Sequence, residues 1–146
     1  MTQRGSGIIA RARRKLDRCP GVSYTWTSRS VEVPAPSPGG FPIRLQITRR
    51  GFRVHLGGWW RDFDRDDDAL DCLDFGLSKG CRLAVEYRGA SEIAWTVESR
   101  EFGSWRPHHR ARRILAPFWG PRRTEYQQND VTLLYPGEVG DRAADT

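Results

Sequence analysis

Between Phe41 and Gly58 the sequence FPIRLQITRRGFRVHLGG alternates apolar and polar residues twice, a period that an extended chain satisfies and a helix does not. Ile43, Leu45 and Ile47 share one side of the first extended run, Phe52, Val54 and Leu56 one side of the second, and Gly51 ends the turn between them. Pairing Ile47 with Phe52, Leu45 with Val54 and Ile43 with Leu56 places both triplets on one face, which other elements must then cover.

A second hairpin is predicted over Cys81 to Arg88 and Glu92 to Glu98, around Gly89-Ala90-Ser91. A three-residue turn pairs Tyr87 with Ile93, Val85 with Trp95 and Leu83 with Val97 on one face. On the other face it sets Arg88 opposite Glu92 and Arg82 opposite Glu98, so one register satisfies the apolar and the charged pairs.

The cover for these sheets comes from two amphipathic segments. Gly7 to Arg18 places Ile9, Ala12 and Leu16 at helical spacing, with Arg11, Arg13, Arg14 and Lys15 mostly elsewhere on the wheel, and Cys19-Pro20-Gly21 ends it. With one short apolar stripe, it reads as a core-packed helix with a solvated basic face rather than a membrane-surface helix. Asp66 to Lys79 puts acidic residues in its first turn and Leu70, Leu73 and Leu77 on one stripe, with Gly80 as a C-terminal stop. Further elements are a strand over Val22 to Arg29, a stiff Pro34 to Gly40 loop, a short helix over Pro107 to Phe118 that opens on proline, and a last strand over Asp130 to Tyr135. Residues 136–146 read as a flexible tail.

The expected fold is therefore a single α+β domain spanning residues 1–146. It has an antiparallel sheet of about five to six strands, two or three helices mainly on one face, and the order α-β-β-β-α-β-β-α. That order is similar to the small chaperones of bacterial secretion systems, although the basic charge departs from what such a chaperone carries.

Several function classes lose support from composition and spacing. No apolar run approaches the roughly 18 residues of a membrane span, and no secretory signal opens the chain, so a cytoplasmic protein without a transmembrane segment is expected. Its three cysteines, Cys19, Cys72 and Cys81, are odd in number and lack CxxC spacing, so reduced thiols are expected rather than a disulfide framework or zinc site, with Cys72 and Cys81 as small core residues. The run Asp62 to Asp71 matches the opening ligands of a calcium loop at Asp62, Asp64 and Asp66. It then carries Asp67 where glycine is needed and Leu73 where a bidentate glutamate is needed, and it reads as an acidic helix cap. Gly57-Gly58 reads as a bulge and Gly76 as a helix-packing point.

His55 falls on the polar side of its strand, and no residue set specifies a reaction, metal or cofactor. If the chain is a small-molecule enzyme or sensor with a pocket between sheet and helices, His55, His108 and Asp64 are its candidate polar groups.

The net charge of +6 points to an anionic partner, an acidic protein or nucleic acid, although the preference for arginine over lysine is also what a biased genome produces. Arginines and aromatic rings interleave most densely between Trp105 and Arg123. There Arg106, Arg110, Arg112, Arg113, Arg122 and Arg123 alternate with Trp105, Phe118 and Trp119, a composition suited to phosphate contact and base stacking. Against this stands the simpler packing in which those rings anchor a C-terminal helix to the sheet and the arginines face water. Trp59-Trp60 can point only one ring inward, which leaves Trp60 as a neighbour of the same surface. The expected function is a non-enzymatic binding or adaptor domain for an anionic partner, with single-stranded DNA or RNA as the stricter alternative. Self-association through a sheet edge and surplus tryptophans is a further expectation.

Overall fold

The computed structural model describes residues 2–131. Among these residues, two helices and two antiparallel sheets, of five and four strands, make an α+β fold. The first sheet runs in sequence order through β1 (Thr25–Trp26), β2 (Ser30–Val33), β3 (Ile43–Ile47), β4 (Phe52–Leu56) and β5 (Trp59–Phe63). The second is ordered β8-β7-β6-β9, from β6 (Cys81–Arg88), β7 (Ser91–Glu101), β8 (Ser104–Arg112) and β9 (Arg122–Gln127). Helices α1 (Thr2–Asp17) and α2 (Asp66–Leu77) cover the inner face of the first sheet.

The β3–β4 hairpin has the register that alternation requires, with Ile47, Leu45 and Ile43 opposite Phe52, Val54 and Leu56. Its inner side chains join Val31, Val33 and Trp59 in a core that takes Ile8, Ile9, Ala12 and Leu16 from α1 and Leu70, Leu73 and Leu77 from α2. The helices also meet through charge. Arg11 reaches Asp66 and Asp67 at 3.1 and 2.8 Å, and Lys15 reaches Asp74 at 2.7 Å. The acidic run thus complements the basic helix as well as its own N-terminus, while Asp62 is taken up by Arg53 at 2.7 Å.

Leu83, Val85 and Val97 of the second sheet belong to the same core. The sheets approach closely where the β4–β5 turn meets Trp95, because a Cβ on Gly58 would lie 2.2 Å from that indole. Gly57-Gly58 is therefore a two-residue hairpin turn rather than a bulge. Gly76 is a packing point as expected: a Cβ there would come within 2.5 Å of Leu56.

Several elements differ from the sequence expectation. The strand expected over Val22 to Arg29 shrinks to Thr25–Trp26 and turns back into β2, with Thr27 N donating to Ser30 O at 2.8 Å. In the β6–β7 hairpin, Arg82 opposes Glu98, Leu83 opposes Val97 and Val85 opposes Trp95 as expected, but the turn holds only Gly89 and Ala90. A bulge after Glu86 absorbs the odd residue, so Tyr87 faces Glu92 and Arg88 faces Ser91. Gly89, at φ 63°, makes the tighter turn available.

The third helix is absent: Pro107 lies instead in β8, an edge strand, where its missing N–H costs no ladder bond. Phe102-Gly103, with φ of 52° and 81°, forms the two-residue turn that lets β8 pair back along β7. Segments Trp59–Phe63 and Arg122–Gln127 are further strands outside the expected order. Asp130 and Val131 are not in a strand, and the remainder of the expected last strand and tail lies outside the described residues.

Candidate functional site

Because β8 and β9 lie at opposite edges of the second sheet, the chain between them must cross the sheet's end. It does so over the β6–β7 turn, and backbone bonds fasten it there. Arg113 N donates to Ile93 O at 2.9 Å, and Gly89 N donates to Pro121 O at 2.9 Å. Arginine side chains add two more ties, Arg88 Nη1 to Phe118 O at 2.8 Å and Arg123 Nη1 to Gly89 O at 2.7 Å. Pro117 and Pro121 restrict the remaining backbone freedom.

The connection is held, yet its apolar side chains are not. Ile114, Leu115, Phe118 and Trp119 are 97, 85, 84 and 67 % exposed. Phe118 and Trp119 touch edge to face, with centroids 5.1 Å apart. Leaving such side chains in water forgoes roughly 1.5–3 kcal/mol of burial for each, the signature of a contact surface rather than of packing. The expectation that Phe118 and Trp119 anchor a helix to the sheet is corrected accordingly. Of the rings in that stretch only Trp105 packs back, half-buried against Arg82.

Arg112 and Arg113 enter this apolar loop, and Arg122 and Arg123 leave it. Arg123 is partly engaged by Glu125 at 3.2 Å, whereas Arg112, Arg113 and Arg122 meet no carboxylate among the described residues. No acidic residue occurs in the sequence between Glu101 and Glu125.

Elsewhere in the second sheet, Arg110 lies on the open face with Arg82 of β6, whereas Arg106, opposite Ser99, lies on the face of the core. Arg82 sits beside Glu98, 4.6 Å from the Trp105 ring centre and 4.0 Å from that of Tyr126. Arg110 holds Glu86 through a double hydrogen bond, at 2.8 and 3.1 Å, and this keeps the Glu86 carboxyl below the usual glutamate range. Arg106 pairs with Glu101 at 3.2 Å. Trp60 stands apart on the outer face of the first sheet, under the Arg53 guanidinium at 4.1 Å. It is Trp59, whose Nε1 donates to His109 Nδ1 at 2.9 Å, that meets β8.

A separate cleft of about 520 Å3 opens between β5, α2, β7 and β8, with Trp59, Phe75, Asp68, Asp71, His108 and His109 on its walls. Both histidines reach it because His108 is the extra residue of a bulge opposite Val97 and Glu98. Ser99 Oγ bonds His108 Nε2, but Glu101 lies 3.3 Å from that hydroxyl and 3.8 Å from the same ring nitrogen. A carboxylate on that side cannot orient the imidazole from behind, as an activated serine requires. His55 lines a different cleft with Arg44 and Glu32, and Asp64 lines neither, so the groups named for a pocket reaction do not converge.

By fold this is an α+β protein whose second sheet carries an arginine-flanked aromatic loop. No protein-family model matches the chain, nor does any curated protein or solved structure.

Proposed function

We propose that the protein is a binding module that recognises an anionic partner through the β8–β9 connection and the arginines at its base. The observation that carries this reading is the arrangement itself: four large apolar side chains, each at least 67 % exposed, flanked by Arg112, Arg113, Arg122 and Arg123 without an intervening acid. Arginine offers planar, multiply donating contacts to carboxylate or phosphate, and the adjoining apolar groups supply area that gains on desolvation. Of the carboxylates near this end of the sheet, Glu86 is bound by Arg110 and Glu125 by Arg123, which leaves the exposed Glu92 as the one carboxylate there without an ion pair among the described residues, against the four arginines.

Single-stranded nucleic acid is a second reading, favoured by Tyr126. That ring is 55 % exposed on the open sheet face beside Arg82, with Arg122 on the same face four residues along β9, beyond Thr124.

Titrating heparin, single-stranded DNA and anionic vesicles at low and high salt tests the first reading. The Arg112→Gln/Arg113→Gln variant is compared with Arg49→Gln/Arg50→Gln, which removes equal charge from the β3–β4 turn of the other sheet. Binding to at least one polyanion that weakens with salt, and more in the first variant than in the second, is the expected result. Equal loss in both variants would reduce the effect to net charge and overturn the reading.

A further inference from the structure

Resting on the binding reading above, we infer that the anionic partner is the headgroup surface of a lipid bilayer, into which the tip of the β8–β9 connection inserts. The side-chain chemistry separates lipid from nucleic acid. Phe118 and Trp119 could stack on bases, but Ile114 and Leu115, the most exposed of the four at 97 and 85 %, have no ring to stack. All four gain by entering an acyl and headgroup boundary, where tryptophan in particular settles.

The shape of the loop agrees with this. It is a projection, fastened by Arg113 N to Ile93 O and by Gly89 N to Pro121 O, so inserting its side chains requires no refolding of the backbone. The charges then lie where headgroups would be. Arg112 and Arg113 precede the apolar tip and Arg122 and Arg123 follow it, with Arg123 also tied to Glu125 and Gly89 O, so cations flank its base on both sides while the rings and aliphatic groups go deeper. A protein groove would take the same apolar tip, but it needs no cationic collar on both sides. A planar array of phosphates and carboxylates does use one.

The protein contains a matched control. Phe102 is a fully exposed ring in the β7–β8 turn, at the far end of β8 from the arginine collar, with Glu101 beside it. Its charged neighbours are Arg106, paired with Glu101, and the exposed Arg100, so it has the hydrophobicity without the four-arginine collar.

The test is co-sedimentation of the full chain with phosphatidylcholine vesicles, with and without phosphatidylserine, alongside a single-stranded oligonucleotide titration. Binding is expected only to vesicles with phosphatidylserine. Each arginine near an anionic surface contributes about a fivefold factor, so Arg112→Gln/Arg113→Gln should lower partitioning about thirtyfold. Phe118→Ala/Trp119→Ala should lower it at least about tenfold, and Phe102→Asn should leave it unchanged. All these side chains are exposed, and circular dichroism of each variant confirms that the fold persists. Salt-sensitive binding to the oligonucleotide with none to either vesicle would overturn the lipid inference and leave the binding reading standing. Equal binding to both vesicle types, or full retention by the Phe118→Ala/Trp119→Ala variant, would also overturn it. No binding to any of these probes would overturn the lipid inference, and with no binding to heparin either, the binding reading as well.

Discussion

Asn129 is fully buried and joins three parts of the chain: its Oδ1 accepts from Phe41 N at 2.9 Å, and its Nδ2 donates to Phe41 O and to Gly76 O, each at 3.1 Å. Those bonds tie the residues just beyond β9 to the β2–β3 loop and to the C-terminal turn of α2. An Asn129→Ala substitution removes every one of them and strands Phe41 N, Phe41 O and Gly76 O in an interior that water does not reach. Each net bond is worth about 1 kcal/mol and each stranded group adds a desolvation cost, so a loss of about 3–4 kcal/mol is expected. Against a total of roughly 5–15 kcal/mol this is a large fraction. With a urea slope near 2 kcal/mol per molar, the midpoint should fall by about 1.5–2 M at unchanged slope. Gln128→Ala, which removes only an exposed bond to Lys79 O, serves as the neighbour control, with an expected cost below about 1 kcal/mol. A midpoint for Asn129→Ala within about 0.3 M of the parent would refute the assignment of Asn129 as the clamp on β9.

Further consequences can be measured. Burial, then Arg44 and Arg53, push His55 below its ordinary value of 6.5, so as pH falls through that value the unfolded chain takes up a proton that the folded one refuses. Stability should therefore decline from about pH 7 to about pH 5, and His55→Gln should flatten that stretch of the curve measured by urea unfolding. Burial holds the Cys72 and Cys81 thiols up to about 12 and raises Cys19 as well, so iodoacetamide near pH 8 should label the native protein slowly and the urea-unfolded protein rapidly by mass spectrometry. Phe102 occupies the left-handed region at φ 52° in a turn that prefers asparagine, so Phe102→Asn should stabilise by about 0.5–1 kcal/mol, seen as a melting temperature higher by about 2–4 °C.

What could be read from the chain follows burial. The β3–β4 register, the body of the β6–β7 register and both helices were legible because each has one wet and one dry side, which impresses its period on the residues. In β8 only Trp105 and Ala111 are not exposed, and in β9 only Gln127, so neither strand imposes an alternation. Without one, Pro107 reads as a helix start although it sits in an edge strand. The Phe102-Gly103 turn and the alternation of Thr124 with Tyr126 were the signals that a strand reading needed.

The arginine and aromatic content of the site was visible for the same stretch, but its geometry depended on that strand assignment. A helix would have buried Phe118 and Trp119, whereas a crossing between opposite sheet edges presents them to solvent. Asn129 gave no signal at all, because a lone asparagine after a polar strand resembles any loop residue until Phe41 and Gly76 are brought beside it.

The most direct test of the binding surface is amide hydrogen exchange with and without phosphatidylserine-containing vesicles or heparin. Slowed exchange at Arg113 to Gly120, with α1 and the outer face of the first sheet unchanged, is the predicted result. Slowing confined to α1 or to the first sheet, with that connection unaffected, would contradict the assignment of the β8–β9 connection as the contact surface.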